Sequence, residues 1–332
     1  MKVILNRRRF VIAAGLIGIA LSLGVASSAS AQNFPQRPIT MLVGFAAGGP
    51  TDSAARVVAE QMAKRLGQPV VVSNKPGASG VVAAKELIAS APDGYTILLA
   101  SNSYFTHGPA RYESVDYDYD KDFTPIGGVA GYPHVLIVPP NSAHNSLKDL
   151  IDYARANPNK LNVARVGFGN EIALAWLADL AKIDIATIPY KGAATVVSDL
   201  SGGRLDLALV APSVAYPLID GGKAKAIATT RSTPMTDKRN IPSVATAGVK
   251  EFDFYIWNAL VAPKGTPQPV IDTLAKALND SLKEPAVQAQ FATAFLDIAS
   301  MSAEDLTKAV HDELAMAKKV VKDANLPLLK QQ

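Results

Sequence analysis

The sequence predicts an α/β protein of two lobes, with parallel-rich sheets joined by hinge strands. Three observations carry this. Short β-branched runs alternate with amphipathic helical stretches from residue 38 onward, the pattern of parallel strands joined by right-handed crossovers. Most strand-to-helix junctions are rich in glycine or small polar residues. Two extended, apolar, proline-bounded segments, Tyr132 to Pro140 and Phe252 to Pro263, flank a self-contained helical pattern. A chain that leaves one α/β unit, builds a second and returns makes two lobes that can close about the paired crossings.

Taken in order, Ile39 to Phe45 reads as a buried strand. A helix follows over Thr51 to Leu66, with apolar residues at 54, 55, 58, 62 and 66 and stop signals at Gly67 and Pro69. Val70 to Ser73 is a strand, Ser79 to Ser90 a helix, Pro92-Asp93-Gly94 a turn and Tyr95 to Ala100 a strand. Val135 to Val138 ends at Pro139-Pro140, and Ser146 opens a helix running to Ala156. Leu161 to Val166, Ile183 to Ile188, Leu205 to Val210 and Ala224 to Thr230 are further strands separated by helices. The expected division is residues 32–136 and 258–332 for the first lobe and 137–257 for the second.

Residues 1–31 are set apart. Lys2, Arg7, Arg8 and Arg9 precede the apolar run Phe10 to Ala26, and small residues end at Ala29-Ser30-Ala31. This is an export signal cleaved after Ala31. A spanning anchor needs roughly 20 apolar residues, and this run is broken by glycines and followed at once by the cleavage pattern. Arg7-Arg8-Arg9-Phe10-Val11 also fits the twin-arginine pattern, and both export routes remain open. The whole chain has 33 Lys+Arg against 29 Asp+Glu, a net charge of +4. Losing the four leader cations leaves 29 of each sign, which removes the case for nucleic acid or an anionic membrane as a partner. With 23 glycines and 22 prolines in 332 residues, the chain is far below the roughly 25–30% of disordered or collagen-like chains. It has no cysteine, hence no disulfide, thiolate nucleophile or thiolate-ligated metal.

In parallel α/β sheets ligands bind beyond the carboxyl ends of the strands. The first such turn is Gly44-Phe45-Ala46-Ala47-Gly48-Gly49-Pro50-Thr51-Asp52. Its glycines let backbone N–H groups approach an anion at a helix N-terminus. A plain tight turn with Thr51 or Asp52 as N-cap explains it equally well. Asn74-Lys75-Pro76-Gly77-Ala78-Ser79-Gly80, Ser101-Asn102-Ser103, Arg165 to Glu171 and Pro189-Tyr190-Lys191-Gly192 are further turns of this kind. Several opening on one cleft would make a binding site. Catalytic and metal patterns are weak. No phosphate or dinucleotide loop is present, and His107, His134, His144 and His311 lack metal-ligand spacing. Gly77-Ala78-Ser79-Gly80 is half a nucleophile elbow, Val81 standing where its last glycine belongs. Asp52 with Glu171 is a conceivable carboxylate pair, against the plainer reading of capping and a solvated helix start. Trp176 and Trp257 read as core.

The turns, together with Ala91-Pro92-Asp93-Gly94-Tyr95-Thr96 and Ala262-Pro263-Lys264-Gly265-Thr266-Pro267, resemble the Bug receptor family, the solute-binding proteins of tripartite tricarboxylate transporters. The resemblance runs from about residue 35 to the C-terminus. It implies a type II, Venus-flytrap fold and a periplasmic monomer without cofactor, metal or catalysis. Such a receptor clasps a small carboxylate and delivers it to integral membrane transporter subunits. It also implies ligand contacts from Phe45, Ala46, Gly48, Gly49, Asp52, Gly77, Ser79, Ser101, Asn102, Ser103, Phe168, Gly169, Asn170, Glu171 and Val210, the carboxylates being held by backbone N–H groups, hydroxyls and waters.

Departures from the family pattern refine this expectation. Arg165-Val166-Gly167-Phe168 and then Glu171 stand where the family has Gly-x-Gly-Ser/Thr and a histidine. Val210 replaces an acidic residue, and Gly108-Pro109 replaces Asn-Pro. Phe168, Val210, Tyr104 and Phe105 point to a carboxylate with an apolar or aromatic body. A Glu171 facing the cleft would instead favour a ligand with an amine or ring nitrogen. A sensing partner of a membrane signalling protein and a secreted enzyme using Asp52 or Glu171 are the alternatives.

Overall fold

The computed structural model describes residues 34–77, 80–235 and 239–330; the signal segment and its cleavage site lie outside them. Eleven strands run in chain order: β1 (Ile39–Val43), β2 (Val70–Asn74), β3 (Thr96–Ser101), β4 (Phe123–Pro133), β5 (Val135–Val138), β6 (Asn162–Val166), β7 (Ala186–Tyr190), β8 (Leu207–Val210), β9 (Lys225–Thr229), β10 (Tyr255–Pro263) and β11 (Asp297–Ile298). The helices are α1 (Pro50–Leu66), α2 (Val81–Ile88), the short α3 (Gly108–Arg111) and α4 (Tyr119–Asp122), α5 (Leu147–Ala156), α6 (Gly167–Ala181), α7 (Ala193–Ser201), α8 (Pro212–Asp220), α9 (Gln268–Leu282), α10 (Pro285–Thr293) and α11 (Ala303–Asp323). A π-helical turn, Ser103–His107, precedes α3.

Local chemistry accounts for the helix ends. Proline opens α1, and Gly67 closes it in the left-handed region at φ 66°, its N–H reaching Ala63 O. Ser146 Oγ caps α5 by accepting from Asp149 N at 3.1 Å, and Ser302 Oγ caps α11 by accepting from Asp305 N at 3.0 Å.

The strands form two sheets, ordered β11-β4-β10-β3-β1-β2 and β7-β6-β8-β5-β9. Apart from the edge strand β11, the two share one pattern: β2-β1-β3 and β7-β6-β8, each followed by a strand brought in by a crossing and then one more. Both sheets are mixed, which corrects the expectation that they are parallel-rich. β1 runs parallel to β2 and β3, and β6 to β7 and β8. The crossing strands β10 and β5 run antiparallel to both neighbours, because each arrives from the other sheet without a helical return.

Strand alternation sorts side chains to the two faces of each sheet. Met41, Val43, Ile97, Leu99 and Leu260 pack under α1 and α9. Leu42, Leu98, Ala259 and Val261 pack under α2 and the start of α11. In the second sheet, Leu136, Val163 and Leu207 meet α5 and α6, and Ile137, Ala164 and Ala208 meet α7 and α8. A smaller cluster joins Ile172 of α6 to Ala317, Val320 and Val321 of α11, so α11 packs on both units.

The chain passes between sheets at His134 and again between Thr229 and Tyr255. Thr230 binds the crossings together. Its N–H donates to His134 O at 3.0 Å and its carbonyl accepts from Phe254 N at 2.8 Å. Its hydroxyl accepts from His134 N and donates to Phe254 O, each at 2.8 Å. The Phe254 ring lies between His107 and His134, with centroids 5.4 and 5.9 Å away. Burial, with the nearby His107 adding to it, pushes the His134 imidazole down to about 4, so it stays neutral near pH 7.

Leu260 is fully buried in the middle of the first sheet. Leu260→Ala is expected to cost about 2–5 kcal/mol, and at roughly 2–4 °C per kcal/mol the melting temperature should fall by several degrees. An unchanged midpoint in thermal or urea denaturation would contradict this placement.

Candidate functional site

The first turn leaves β1 at Gly44 and enters α1 behind Gly49. The N-cap is Gly49, with no side-chain cap, and the helix starts at Pro50; Thr51 and Asp52 lie inside the first turn of the helix rather than capping it. The Asp52 carboxylate, 3% exposed, reaches back to accept from Gly48 N at 2.9 Å. It also accepts from Arg56 Nε and Nη2 at 2.9 and 3.0 Å and from Asn74 Nδ2 at 2.9 Å. Asn74 Nδ2 further donates to Phe45 O at 3.0 Å. Burial pushes the Asp52 carboxyl up, but the donors from Arg56, Gly48 and Asn74 outweigh it and hold it below the usual 3.8. Both oxygens of Asp52 are thus spent on shaping the loop, while Ala46, Ala47 and Gly48 remain exposed.

The second turn lies directly on the first. A Cβ on Gly44 would sit 2.6 Å from Gly80 Cα, and Gly80 itself has φ +104°, so glycine is required on both sides of this contact. Lys75 N donates to Val43 O at 2.8 Å, and Gly77 is at φ +152°. Ser79 lies outside the described residues.

The third loop begins at the end of β3. Ser101 Oγ donates to Asn102 Oδ1 at 3.2 Å and accepts from Ser103 N at 3.3 Å. Asn102 is fully buried, and its Nδ2 donates to Tyr255 O at 3.0 Å and to Glu313 Oε1 at 2.7 Å. Glu313, from α11, also accepts from Trp257 Nε1 at 2.8 Å, and His107 Nε2 lies 2.9 Å from its Oε1. Asn102 is therefore a post that fixes the loop. Ser103, half-buried, is the most exposed of the three. Asn258, paired with Ser101 across β10 and β3, donates from Nδ2 to Thr51 Oγ1 at 3.3 Å, and its buried Oδ1 has no partner. Tyr104 and Phe105 do not add aromatic surface to the cleft. Each is 2% exposed, within a cluster with Tyr117 and Phe123.

From the second sheet, the turn between β6 and α6 meets this loop. A Cβ on Gly169 would lie 3.0 Å from Ser103 Oγ and 3.1 Å from His107 Nδ1. Asn170 ties the strand ends together, accepting from Val166 N at 3.2 Å and donating to Leu209 O at 3.0 Å. Phe168 is half-buried and edge-on to Tyr112 at 5.3 Å. Val210 does not form a cleft wall: it is 4% exposed, and strand alternation sends its side chain into the core beneath α7 and α8.

Glu171 is not a bare negative charge. Arg111 Nε and Nη2 donate to it at 2.6 and 3.3 Å, and Arg165 Nη1 donates at 2.8 Å. Its side chain is 10% exposed. Two guanidinium groups around one carboxylate leave this corner net positive.

Arg111, Arg165 and Glu313, whose hydrogen bonds hold the loops at Glu171 and Asn102, are residues that motif reading missed or left unassigned. Glu313 had a detectable signal, because it interrupts the apolar stripe Leu306, Val310, Ala317, Val320 of α11. Away from the loops, a cavity of about 810 Å³ opens between residues 109–120 and α11; of the residues expected to meet the ligand, Phe105 alone lines it. Among the described residues no cluster fit to hold a metal occurs and no helix is long and apolar enough to cross a membrane.

Residues 54–326 match the family model described as the tripartite tricarboxylate transporter family receptor. The chain belongs to this receptor family. BugT of Bordetella pertussis is 36% identical over 283 residues, covering 83% of this chain and 86% of the relative. The solved R. palustris Rpa4515 with adipate aligns at TM-score 0.81 and 28% identity, covering 89% of this chain and all of that one. MatC of Rhodopseudomonas palustris with bound malate aligns at TM-score 0.77 and 30% identity, covering 87% of this chain and all of MatC. The α/β architecture of two mixed sheets is that of the periplasmic binding proteins.

In this receptor Asp52→Asn should cost about 1–3 kcal/mol at neutral pH, the charged hydrogen bonds to Gly48, Asn74 and Arg56 being weakened. A carboxyl that titrates lower folded than unfolded adds stability above its ordinary value, here 3.8, and loses it as pH falls through the lowered folded value. The melting-temperature gap between wild type and Asp52→Asn should hold at neutral pH and close in acid below 3.8; a pH-independent gap would rule out this role for the carboxylate.

Proposed function

We propose that this receptor works in the periplasm, after cleavage behind Ala31, as a monomer that captures a small carboxylate and presents it to the membrane subunits of a tripartite transporter. The observation that carries this reading is the contact of Gly169 with Ser103 and His107. It brings the α6 turn of one sheet onto the loop that follows β3 of the other, beside the glycine turn that opens α1. Helix N-termini present unpaired N–H groups and a partial positive charge of about half an elementary unit, which suits a carboxylate. Adipate in Rpa4515 and malate in MatC support a ligand of this class.

The first lobe runs to the crossing at His134 and resumes at Tyr255, two or three residues from the expected boundaries at 136/137 and 257/258, and the second lobe lies between. Ligand closes them about the crossings at His134 and Thr230, and the membrane partner distinguishes the closed shape from the open one. In the first lobe the backbone of Phe45, Ala46, Gly48 and Gly49, exposed at Ala46 and Gly48, meets one carboxylate together with Gly77 and Ser79 of the second turn; Asp52 and Asn102 hold these loops in shape. The second lobe contributes Phe168 and Gly169. Phe168 is the apolar element left to face a ligand body once Val210, Tyr104 and Phe105 are assigned to the core, and it favours an aliphatic or aromatic stem over a polar one.

Catalysis by Asp52 and Glu171 is disfavoured by their surroundings. A general acid needs a raised pKa, whereas Asp52 is lowered by its donors; the Glu171 carboxylate is already taken up by hydrogen bonds from two arginines.

Thermal-shift titration of the purified protein against mono-, di- and tricarboxylates tests the reading. A ligand at 100 times its Kd stabilises by about 2.7 kcal/mol, a shift of several degrees. Adipate or an aromatic acid should outrank aspartate and citrate, and be recovered unaltered after incubation. No shift with any carboxylate, or chemical turnover of the bound acid, would refute the proposal.

A further inference from the structure

Phe295 occupies a backbone position that favours glycine. Helix α10 ends in a Schellman motif: Leu296 N donates to Phe291 O at 2.8 Å and Phe295 N to Ala292 O at 3.1 Å, while Phe291 and Leu296 both enter the core of the first lobe. The residue between the cap and Leu296 must turn left-handed, and Phe295 does so at φ 58°. Glycine fills this position without steric cost, and a bulky side chain there is an outlier. The core of the first lobe does not claim the side chain either, for Phe295 is 37% exposed.

The partners of the ring belong to the second lobe. It stands edge-on to Tyr216 of α8, with centroids 4.8 Å apart. The Arg239 guanidinium lies 3.7 Å from the Tyr216 centroid and 5.8 Å from that of Phe295. Both partners are held within their own lobe. Tyr216 is 2% exposed and donates from its hydroxyl to Met235 Sδ at 3.2 Å; Arg239 donates through Nε and Nη2 to Asp220 at 3.2 and 2.6 Å. An aromatic ring and a cation fixed in this way form a socket for a ring from the other lobe.

Sheet order sets this contact apart from the binding loops. In the run β11-β4-β10-β3, Phe295 leads into β11 on one flank of the crossing strands β4 and β10. Ser103, on which Gly169 rests, follows β3 on the other flank. The strands that carry the crossings lie between the two contacts. A rotation about His134 and Thr230 displaces the ring from its socket, because ring and socket ride on different lobes.

We infer that Phe295 is an interlobe latch: docked on Tyr216 and Arg239, its ring favours the closed arrangement of the lobes and so raises ligand affinity without touching the ligand. The left-handed backbone is a local strain kept for a contact made elsewhere. The inference rests on the reading of a receptor whose lobes close on a carboxylate, and adds to it a positioning residue outside the binding loops.

Two measurements on the full protein test this. In calorimetric titration with adipate, or with the best-shifting acid of the thermal-shift series should adipate not bind, Phe295→Gly should bind about three- to tenfold more weakly than wild type, the range expected for one lost aromatic pair with its cation. Phe295→Tyr keeps the ring and should stay within about twofold. The glycine variant should fold, since glycine is what this turn prefers, and its melting curve verifies that. The chain has no cysteine, so Lys64→Cys and Lys160→Cys, exposed on the first and second lobes, take one pair of spin labels. Interlobe distances in the ligand-free protein should show a smaller closed population in Phe295→Gly than in wild type. A Phe295→Gly protein that matches wild type in either measurement, or binds more tightly, would overturn the latch and leave the receptor reading standing. Wild-type protein that binds no carboxylate would overturn the receptor reading, and the ligand-free distances alone would then decide the latch.

Discussion

The side chain of Glu313 ties the interior of this receptor together. It reaches from α11 into the junction of both units and meets a buried amide on the β3 loop, an indole N–H on the returning strand β10 and an imidazole on the π-helical turn. A carboxylate taken out of water needs such donors. Pairing with the amide and the indole N–H fixes the relative positions of Asn102 and Trp257, with the His107 ring lying 2.9 Å from the same carboxylate, and hence of Ser103, the point on which Gly169 rests. The stack of His107, Phe254 and His134 carries the same constraint to the crossings. Loop, hinge and C-terminal helix are one polar and aromatic unit, and the glycine turns on either side are positioned relative to it.

Each side of the site also has a carboxylate held by arginine near the start of a helix. Asp52 with Arg56 sets the curvature of the α1 turn, and Glu171 with Arg111 and Arg165 sets the α6 turn. These acids do not repel an anionic ligand, because their charge is already matched or exceeded. Residues 32–332 carry 29 charges of each sign and so have no net charge to draw an anion in, which leaves attraction to local sources. Helix N-termini and the exposed backbone at residues 46–48 are sources of this kind.

Much of the fold was legible in the sequence because it follows from local periodicity. The strands at 39, 70, 96, 135 and 207, the helices with clear caps and the two crossing segments all follow alternation or a 3.6-residue period. Strand β4 was not legible. Phe123-Thr124-Pro125-Ile126-Gly127-Gly128 has the composition of a loop. It pairs as a strand because tertiary packing selects those glycines: a Cβ on Gly128 would meet Ala299 O at 2.2 Å, and one on Gly127 would meet Met301 O at 3.1 Å. At the site, the loops could be read from glycine and small polar residues, but the roles of side chains within them could not. Asp52, Asn102 and Asn170 look like ligand contacts by type and position, yet their hydrogen bonds run inward. Whether a polar atom faces a ligand or a backbone amide depends on partners far away in sequence, such as Asn102 and Glu313. Val210 shows the same limit, since its face of β8 is decided by register.

The position of β10 has a further consequence, for the order in which the chain can assemble. In the first sheet, β10 lies between β3 and β4, so two halves made from residues 39–101 and 123–133 stay apart until residues 255–263 are available. The second sheet draws all its strands from residues 135–229 and can close on itself as soon as they have emerged. A chain produced from its N-terminus therefore completes its later-made unit first, because the long-range pairing of β10 carries the larger loop-closure penalty. Until that strand inserts, Leu99 and Leu260 lack their places in the core and the cleft has only one finished wall.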